Sequence, residues 1–312
     1  MHSKISNIWI LGGMGFIGQS VVNILSSNPN SRLNLLIHKN APLRDLEAHN
    51  TFTGSLDNID PEWLKNYPPD VIFHLARPAG KYAITRELIS RYSENANHHL
   101  VKQLIGLPKP PVVIYVSGSL MYGERSSDNP AFEDSPLSPV AFGKSYYRNE
   151  TPWMEARNKG LLDVRFARPG WVIGATSWFK RYYWEHYLKF GKIPCYGDGS
   201  QYMSAIHLND CASMIAGLYN FGHKSQDLNI FSGNPIKQMD FAQIIAMITG
   251  ADIEIIKPDQ IRRKFGDTAA KALLASIPMK THHIDIHQKI DFSFPDHEKS
   301  ISQVIGLLKN IQ

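Results

Sequence analysis

The sequence lacks the features that would place it in a disulfide-rich or membrane class. Only two of its 312 residues are cysteine, which leaves no disulfide framework and fits a reducing compartment. No apolar run approaches the roughly 18 residues of a membrane span. The N-terminal run Ile8–Leu11 is too short for the core of a signal peptide. We therefore expect a soluble, cytoplasmic protein with no membrane segment.

Charge of one sign is not concentrated anywhere along the chain. The 33 basic and 28 acidic residues give a net charge of +5, and they are spread without a block of like charges. Proteins that bind nucleic acid concentrate basic residues in patches. A basic balance by itself favours anionic ligands only slightly. We expect a small-molecule ligand and no nucleic acid.

Strand-like and helix-like segments alternate along most of the chain. The runs "VIFHLA" and "PVVIYVSG" are typical of strands buried on both faces, as in a parallel sheet between helix layers. This alternation predicts an α/β fold with a doubly wound parallel sheet. The predicted strands are Ile8–Leu11, Leu33–His38, Thr51–Thr53, Val71–Leu75, Val112–Ser117, Val164–Arg168 and Leu228–Phe231, and the predicted helices are Phe16–Ser26, Glu87–Ile105, Phe142–Lys159, Asp210–Tyr219 and Met239–Thr249.

Three glycines follow the first predicted strand in "IWILGGMGFIGQS" and open the first helix. Gly12 permits a tight turn, Gly15 lets the backbone approach a diphosphate, and Gly18 lets helix and strand pack closely. The helix N-terminus adds free N–H groups and a partial positive charge. Their place at the first strand–helix junction predicts a Rossmann-type dinucleotide site. Phe16 and Ile17 complete this predicted cofactor-binding turn.

The end of the second predicted strand bears on the choice of cofactor. NAD-binding proteins usually place Asp or Glu there for the ribose 2′-hydroxyl. Here His38 and Lys39 occupy that place, and Arg44 lies just downstream. A cation attracts a 2′-phosphate that a carboxylate repels. We predict NADP in preference to NAD, and a solvated strand end is the alternative interpretation of these residues.

The texture of the sequence changes after about Arg168. Aromatic residues crowd into Trp178–Phe190, and shorter, mixed elements follow. Core packing is one interpretation of these rings, and a lobe lining a cleft is the other. Because no linker is visible, we expect a smaller C-terminal substrate lobe interleaved with the Rossmann domain. The predicted boundaries are 1–170 with 205–232 for the Rossmann domain, and 171–204 with 233–312 for the lobe.

Eight segments line up in one order along residues 5–250. They are "GGMGFIG", "TGSLDN", "DVIFHLARPAG", "VIYVSGSLMYG", "SPVAFGKSYY", "VRFARPGWVIG", "YGDGSQYMSAIHLNDCA" and "LNIFSGNPIKQMDF". Together they resemble the extended short-chain dehydrogenase/reductase family, which includes the NAD-dependent epimerases and dehydratases.

The resemblance implies which residues bind cofactor and how the chain assembles. Family members bind NAD(P) on the N-terminal half and substrate under the C-terminal lobe. They commonly pair through helices near 87–105 and 142–159, so a homodimer is an expectation. The family often has Asp where Ser55 stands. The implied cofactor contacts beyond the glycine turn are Ser55, Leu56, Leu75, Ala76, Arg77, Pro169, Gly170 and Val172.

The catalytic positions are where this sequence departs from the family. Its members use Ser or Thr at the end of the fifth strand, then Tyr-x-x-x-Lys on the next helix. Here Gly118 falls at the Ser/Thr position, Phe142 at the Tyr position and Tyr146 at the Lys position. Phe142 has no exchangeable proton, and losing positioned acid–base help costs about 10²–10⁴ in rate. The family's standard mechanism therefore cannot run through these residues.

Tyr146 and Ser119 are the candidate replacements. Positions 142 and 146 lie one helical turn apart, and helical side chains lean towards the N-terminus. Tyr146 would then project its hydroxyl over Phe142, to bind the cofactor's nicotinamide ribose or to donate a proton, whereas Tyr147 faces elsewhere. An ordinary packed tyrosine is the alternative. Ser117 and Ser119 share one face of an extended strand, and Ser119 reaches the substrate if the strand has bent there.

Two histidine-containing segments are interpreted as structural. His207 in "AIHLND" precedes a helix that Asn209 or Asp210 would cap. In "HHIDIHQ" the apolar residues Ile284 and Ile286 alternate with polar ones, which predicts a solvated strand or a loop. The histidine spacing matches no familiar zinc pattern and no Cys lies nearby, so we expect no metal.

Three functions remain open on the sequence. The first is an NADP-binding reductase-like or epimerase/dehydratase-like enzyme with a non-standard active site, acting on a small or medium-sized carbonyl or hydroxyl compound. The second is a catalytically silent NAD(P)-binding sensor or regulatory protein. The third is a non-redox lyase, isomerase or cyclase that uses the same cleft.

Overall fold

The computed structural model describes residues 5–38, 49–77 and 83–311. Within these ranges, no helix combines the length and the apolar character that crossing a lipid bilayer requires. The chain divides into two compact units of three segments each. The first unit consists of Met1–Ser117, Ser145–Ala167 and Ala212–Leu228, and the second of Gly118–Lys144, Arg168–Cys211 and Asn229–Gln312.

Strands and helices alternate through the first half of the chain, as the sequence predicts. The strands are β1 (Ser6–Leu11), β2 (Ser31–Ile37), β3 (Asn50–Thr53), β4 (Val71–His74), β5 (Val112–Val116), β6 (Asp163–Pro169), β7 (Trp171–Ile173), β8 (Lys192–Tyr196), β9 (Tyr202–Met203), β10 (Ala205–His207), β11 (Leu228–Ile230), β12 (Ile236–Lys237) and β13 (Asp252–Ile256). The helices are α1 (Phe16–Ser26), α2 (Pro61–Asn66), α3 (Ala83–Ile105), α4 (Lys144–Asn158), α5 (Glu185–Phe190), α6 (Leu208–Phe221), α7 (Gln238–Thr249), α8 (Pro258–Phe265), α9 (Asp267–Leu274), α10 (Ile284–Gln288) and α11 (His297–Asn310).

Seven of these strands form the main sheet, in the order β11-β6-β5-β4-β1-β2-β3. The neighbouring pairs from β6 to β3 are all parallel. The order reverses beside β1, as in the Rossmann fold, where ligands bind outside the carboxyl ends of the strands. The predicted α/β Rossmann-type fold is confirmed. Its topology places the β1–α1 turn, the end of β4 and the end of β5 on one edge of the sheet.

The core of the first unit explains why these segments form strands and helices. Trp9 on β1, Ile72 on β4 and Tyr115 on β5 are buried on one face of the sheet. Trp153 of α4 packs against the same cluster and is fully buried. Removing such a ring costs about 3–5 kcal/mol. The apolar face of α4 is therefore fixed against the sheet, which fixes where its polar side chains lie.

The second unit is built around the aromatic segment that the sequence singled out. Phe179, Tyr183 and Trp184 are buried in its core beside Tyr196 and Phe241. The core-packing interpretation therefore holds for these three residues. Three small two-stranded pairings accompany this core, β7 with β10, β8 with β13 and β9 with β12.

Segment 118–144 belongs to the second unit, although the sequence assigned it to the domain 1–170. A separate apolar cluster explains this. Tyr122 and Ala131 are buried together with Ile277 and Met279. The carbonyl of Pro278 also accepts a backbone hydrogen bond from Ala131. These contacts tie the segment to the C-terminal part of the chain.

The prediction of a strand or loop for "HHIDIHQ" is wrong, because Ile284–Gln288 is the helix α10. Ile286 is buried while Ile284 is exposed, so one apolar residue packs and the other does not. The His287 ring lies beside Phe231 and donates to the carbonyl of Asn229 at 2.8 Å. These tertiary contacts fix a short helix where local alternation suggested an extended chain.

Candidate functional site

A groove of about 440 Å³ lies in the first unit, at the carboxyl ends of β1, β4 and β5. This is the edge where parallel α/β sheets bind ligands. Sequence reasoning missed Val116, although its position at the end of a buried strand marks it. The groove is lined by Gly12, Gly15, Phe16, Ile17, Gly18, Leu75, Ala76, Arg77 and Val116.

The glycine turn has a geometry that other residues would disrupt. Gly12 has a φ of +86°, and a Cβ there would lie 2.6 Å from the backbone nitrogen of Ala76. A Cβ on Gly18 would overlap the carbonyl oxygen of Gly12. The N–H of Gly15 donates to that same carbonyl at 3.0 Å. Only glycine fits at these two positions, because any side chain would collide with the backbone where β1, α1 and the loop after β4 pack tightly together.

The start of α1 supplies the other half of this turn. Gly15 stands at the N-cap without a side chain to satisfy the free N–H groups of the first turn, and no acidic residue lies in that turn. These N–H groups and the helix dipole make an anion-binding position. The residues present therefore fit the diphosphate of a dinucleotide.

The predicted cofactor residues that follow β2 and β3 are not among those that line the groove. His38 is exposed directly after β2, whereas Lys39 and Arg44 lie outside the described residues. Ser55 follows β3 and donates its hydroxyl to Asp57 at 2.5 Å. Hydrogen bonds from Ser55 and Tyr92 hold the pKa of the Asp57 carboxyl below its ordinary value. Leu56, next to Ser55, is half-buried at the start of a 3₁₀ turn.

The chain does not run straight through the serines at the end of β5, so the prediction that Ser117 and Ser119 share a strand face is wrong. β5 ends at Val116, and a 3₁₀ turn begins at Ser119 after Gly118. Ser117 donates its hydroxyl to the buried carboxylate of Glu150 on α4. Ser119 is buried in the second unit. The two hydroxyls therefore belong to different environments.

The predicted helix Phe142–Lys159 begins two residues later than expected, at Lys144. The carbonyl of Val140 accepts from the N–H groups of Gly143 at 2.7 Å and Lys144 at 3.2 Å, which forms a turn before the helix. Phe142 lies in that turn. The argument that Phe142 and Tyr146 share one helical face is therefore wrong, because position 142 precedes the helix.

Tyr146 and Arg77 are two predicted residues that the structure brings together. The guanidinium carbon of Arg77 lies 5.2 Å from the centroid of the Tyr146 ring. Nη2 of Arg77 also donates to the carbonyl of Val116 at 3.4 Å. Tyr146 is half-buried, and its neighbour Tyr147 is exposed. Tyr146 therefore stands beside Arg77, the one charged side chain among the described residues that line the groove.

A buried polar network, which sequence reasoning missed, holds α4 against β4. The Asn97 amide oxygen accepts from Nε2 of His74 at 2.8 Å and from the Trp153 indole at 2.9 Å. Nδ2 of Asn149 donates to Ser90 at 3.1 Å and to the carbonyl of Ser145 at 2.6 Å. Burial lowers the pKa of His74 to about 4, so the ring is neutral. The sequence carried one signal, a polar residue inside the apolar run "VIFHLA".

The remaining predicted cofactor residues lie in the second unit. Pro169 ends β6, and Val172 is buried on β7. Gly170 donates its N–H to the carbonyl of Ile230 at 2.9 Å. A Cβ on Gly170 would overlap the carbonyl of Ser204, so this crossing of two chain segments requires glycine.

His207 is structural, but the helix cap differs from the prediction. Nδ1 of His207 accepts from the N–H of Asn209 at 3.2 Å, and Nε2 donates to Gln303 at 3.0 Å. Asp210 instead accepts from the N–H groups of Ser293 and Phe294. The imidazole therefore caps α6, and burial lowers its pKa. Across the described ranges, no three His, Cys, Asp or Glu residues are arranged to hold a metal ion.

Comparison with known proteins gives one family. The sequence profile of the NAD dependent epimerase/dehydratase family matches residues 8–230. The chain is 25% identical over 327 residues to the epimerase family protein YfhF of Bacillus subtilis (strain 168), covering 98% of this chain and all of that protein.

Solved structures show the same fold. Human epimerase family protein SDR39U1 with NADPH has a TM-score of 0.75 at 19% identity, covering 97% of this chain and 99% of that one. UDP-glucuronic acid 4-epimerase from Bacillus cereus, in complex with UDP-glucuronic acid and NAD, has a TM-score of 0.77 at 17% identity, covering 98% and 99%.

Proposed function

Because the chain belongs to the NAD-dependent epimerase/dehydratase family, we propose that it binds a nicotinamide dinucleotide along the groove of the first unit. The glycine turn carries this proposal, since Gly12 and Gly18 leave no room for a Cβ and α1 begins without a side-chain cap. Similar folds were solved with NAD or NADPH bound, which supports the same class of ligand here.

NADP is the preferred form in this proposal. His38 is exposed at the end of β2, next to the strand that carries the glycine turn. Within the part of the chain that the structure describes, no carboxylate directly follows β2, so this strand end offers a 2′-phosphate no repulsion. The Asp57 carboxylate is held by Ser55 and Tyr92 at the end of β3 instead.

The proposed activity is reduction of a small or medium-sized carbonyl compound, or an epimerase- or dehydratase-like reaction on a hydroxyl compound. When bound, a reduced nicotinamide supplies hydride to a carbonyl carbon. The carbonyl oxygen then needs a proton, and the Tyr146 hydroxyl is our first candidate donor because Tyr146 contacts groove-lining Arg77. Ser119 is the second candidate.

The test combines binding with turnover. Purified protein is titrated with NADPH and NADH, and each complex is then offered a panel of aldehydes and ketones. We expect NADPH to bind at least about tenfold more tightly, since one charge-assisted contact is worth that much, and at least one carbonyl to oxidise it. Failure to bind either nucleotide would overturn the proposal.

A catalytically silent binding protein is the second candidate function. Phe142 and Gly118 favour it, because neither side chain can transfer a proton. Tight NADPH binding without turnover of any carbonyl on the panel would select this function over the first.

We also propose a homodimer that pairs through α3 and α4. Leu88 and Tyr92 lie one turn apart on α3 and are 63% and 59% exposed, and tyrosine is enriched in the cores of protein interfaces. Light scattering at several concentrations should give twice the chain mass. Leu88→Arg should shift the protein to monomer, whereas a monomeric wild type would contradict the proposal.

A further inference from the structure

Arg77 has a charge that no described residue of the first unit neutralises. Arg148, Arg157 and Arg165 in the same unit each pair with a carboxylate. Among the described residues no carboxylate pairs with Arg77, whose one hydrogen bond there goes to the Val116 carbonyl. A guanidinium has five N–H donors. Most N–H donors of Arg77 are therefore left for the groove and the solvent.

The surroundings of Arg77 fix where that charge lies. Nη2 reaches the end of β5, and the Tyr146 ring lies 5.2 Å from the guanidinium carbon. A ring contact of this kind holds a guanidinium in place without using its N–H groups. Arg77 is thus held across the carboxyl ends of β4 and β5 with its planar fork available.

This position is separate from the anion-binding end of α1. In the sheet, β4 lies between β1 and β5, and neighbouring strands are about 4.8 Å apart. The end of β5 is therefore roughly 9–10 Å from the end of β1, where α1 begins. One diphosphate at the glycine turn does not occupy both places. The groove has a second position for negative charge.

We propose that the Arg77 side chain binds a carboxylate of the substrate, so that the protein acts on small carbonyl or hydroxyl acids. The planar fork matches the two oxygens of a carboxylate. Arg77 was expected to follow the cofactor, and it lines the groove. This inference rests on the proposed function, because it takes the reacting carbon to lie in the same groove.

The test uses oxamate, a small carboxylate, and oxamide, its neutral analogue. Protein saturated with NADP⁺ is titrated calorimetrically with each. Oxamate should bind at least about tenfold more tightly than oxamide, the ratio expected for one charge-assisted pair. Arg77→Met should remove that preference and leave oxamide binding unchanged. Arg77→Lys should retain part of it, because a lysine keeps the charge but not the fork.

Two controls separate the possible failures. Arg91→Met removes an exposed arginine that pairs with Glu87 on α3, and it should leave both titrations unchanged. Arg77→Met should keep the wild-type unfolding temperature, since Arg77 is exposed, and its own NADP⁺ titration sets the concentration that saturates it.

Equal binding of oxamate and oxamide, or an oxamate preference that survives Arg77→Met, overturns the inference while the proposed function stands. If the wild-type protein binds neither NADP⁺ nor NAD⁺, both the inference and the proposed function are overturned.

Discussion

The hydroxyl of Ser117 donates a hydrogen bond to the carboxylate of Glu150, and both side chains are buried in the first unit. Ser117 follows the last residue of β5, and Glu150 lies on α4 one turn after Tyr146. A buried carboxylate is costly without donors. The pair therefore ties the helix that carries Tyr146 to the edge of the sheet where the groove lies.

Ser117→Ala should lower the free energy of unfolding by about 1–3 kcal/mol, because it removes a donor from a buried carboxylate. Urea unfolding followed by circular dichroism measures the change. Ser119→Ala is the matched control, since the described residues show no hydrogen bond from its hydroxyl. That variant should lose less stability than Ser117→Ala does, because it strips no donor from a buried carboxylate. Equal losses in the two variants would show that the Glu150 contact is not what matters.

Tyr146→Phe should lower turnover by about 10²–10⁴ while cofactor affinity changes only severalfold, because it removes one hydroxyl and keeps the ring beside Arg77. Steady-state kinetics on a carbonyl found in the panel, with a nucleotide titration, measures both. Tyr147→Phe changes an exposed tyrosine of the same helix and should leave turnover intact. If Tyr146→Phe retains full turnover, Tyr146 is not the proton donor and Ser119 becomes the candidate.

The Rossmann part of the fold was predictable because its signals are local. Continuous apolar runs mark buried parallel strands, and glycines at a strand–helix junction mark the phosphate turn. Helix α1 occurs at Phe16–Ser26 as predicted. These features need no knowledge of distant contacts.

The features that sequence reasoning missed depend on distant contacts. His74 meets Asn97 and Trp153 only after β4, α3 and α4 have packed together. Helix α10 depends on contacts of His287 with Phe231 and Asn229. The contact between Arg77, in the loop after β4, and Tyr146, on α4, joins residues that are far apart in sequence. The hydrophobic periodicity of a sequence reports only on neighbouring residues, so it cannot predict such pairs.

His38→Asp should weaken NADPH binding by at least about tenfold and strengthen or preserve NADH binding, because a carboxylate repels the 2′-phosphate and accepts from the 2′-hydroxyl. Parallel titrations with the two nucleotides give the ratio. His49→Asp is the control, since His49 is bonded to Ser26 at the opposite end of the sheet. An unchanged NADPH/NADH ratio in His38→Asp would remove His38 from the cofactor site.

Gly18→Ala should abolish cofactor binding and destabilise the protein, because its Cβ would overlap the carbonyl of Gly12. Gly306→Ala is the matched control in another helix, where a Cβ would meet nothing within 4 Å. It should raise the free energy of unfolding by about 0.4–1 kcal/mol by restricting the unfolded chain. Thermal unfolding and nucleotide titration measure the pair. Normal binding in Gly18→Ala would contradict the proposed role of the turn.

Stability should fall as the pH drops below about 6.5, in part because of His74. Burial lowers the pKa of its ring from 6.5 to about 4, so the ring takes up its proton at a lower pH in the folded state than in the unfolded state. Above pH 6.5 neither state is protonated and His74 adds no pH dependence. Between 6.5 and 4 only the unfolded state binds the proton, which costs up to about 1.4 kcal/mol per pH unit and about 3 kcal/mol over the window.

His74→Gln should therefore flatten the pH dependence of unfolding, although losing the contact with Asn97 lowers stability at neutral pH. The wild-type slope also includes His207 and His287, whose pKa values burial lowers, so the difference between variants isolates His74. Urea unfolding between about pH 7 and pH 5 measures how the free energy of unfolding changes with pH. In His74→Gln this change should correspond to up to one fewer proton taken up on unfolding. The matched control is His99→Gln, which replaces an exposed histidine on α3. Identical slopes in His74→Gln and wild type would mean that this ring is not held neutral in the folded protein.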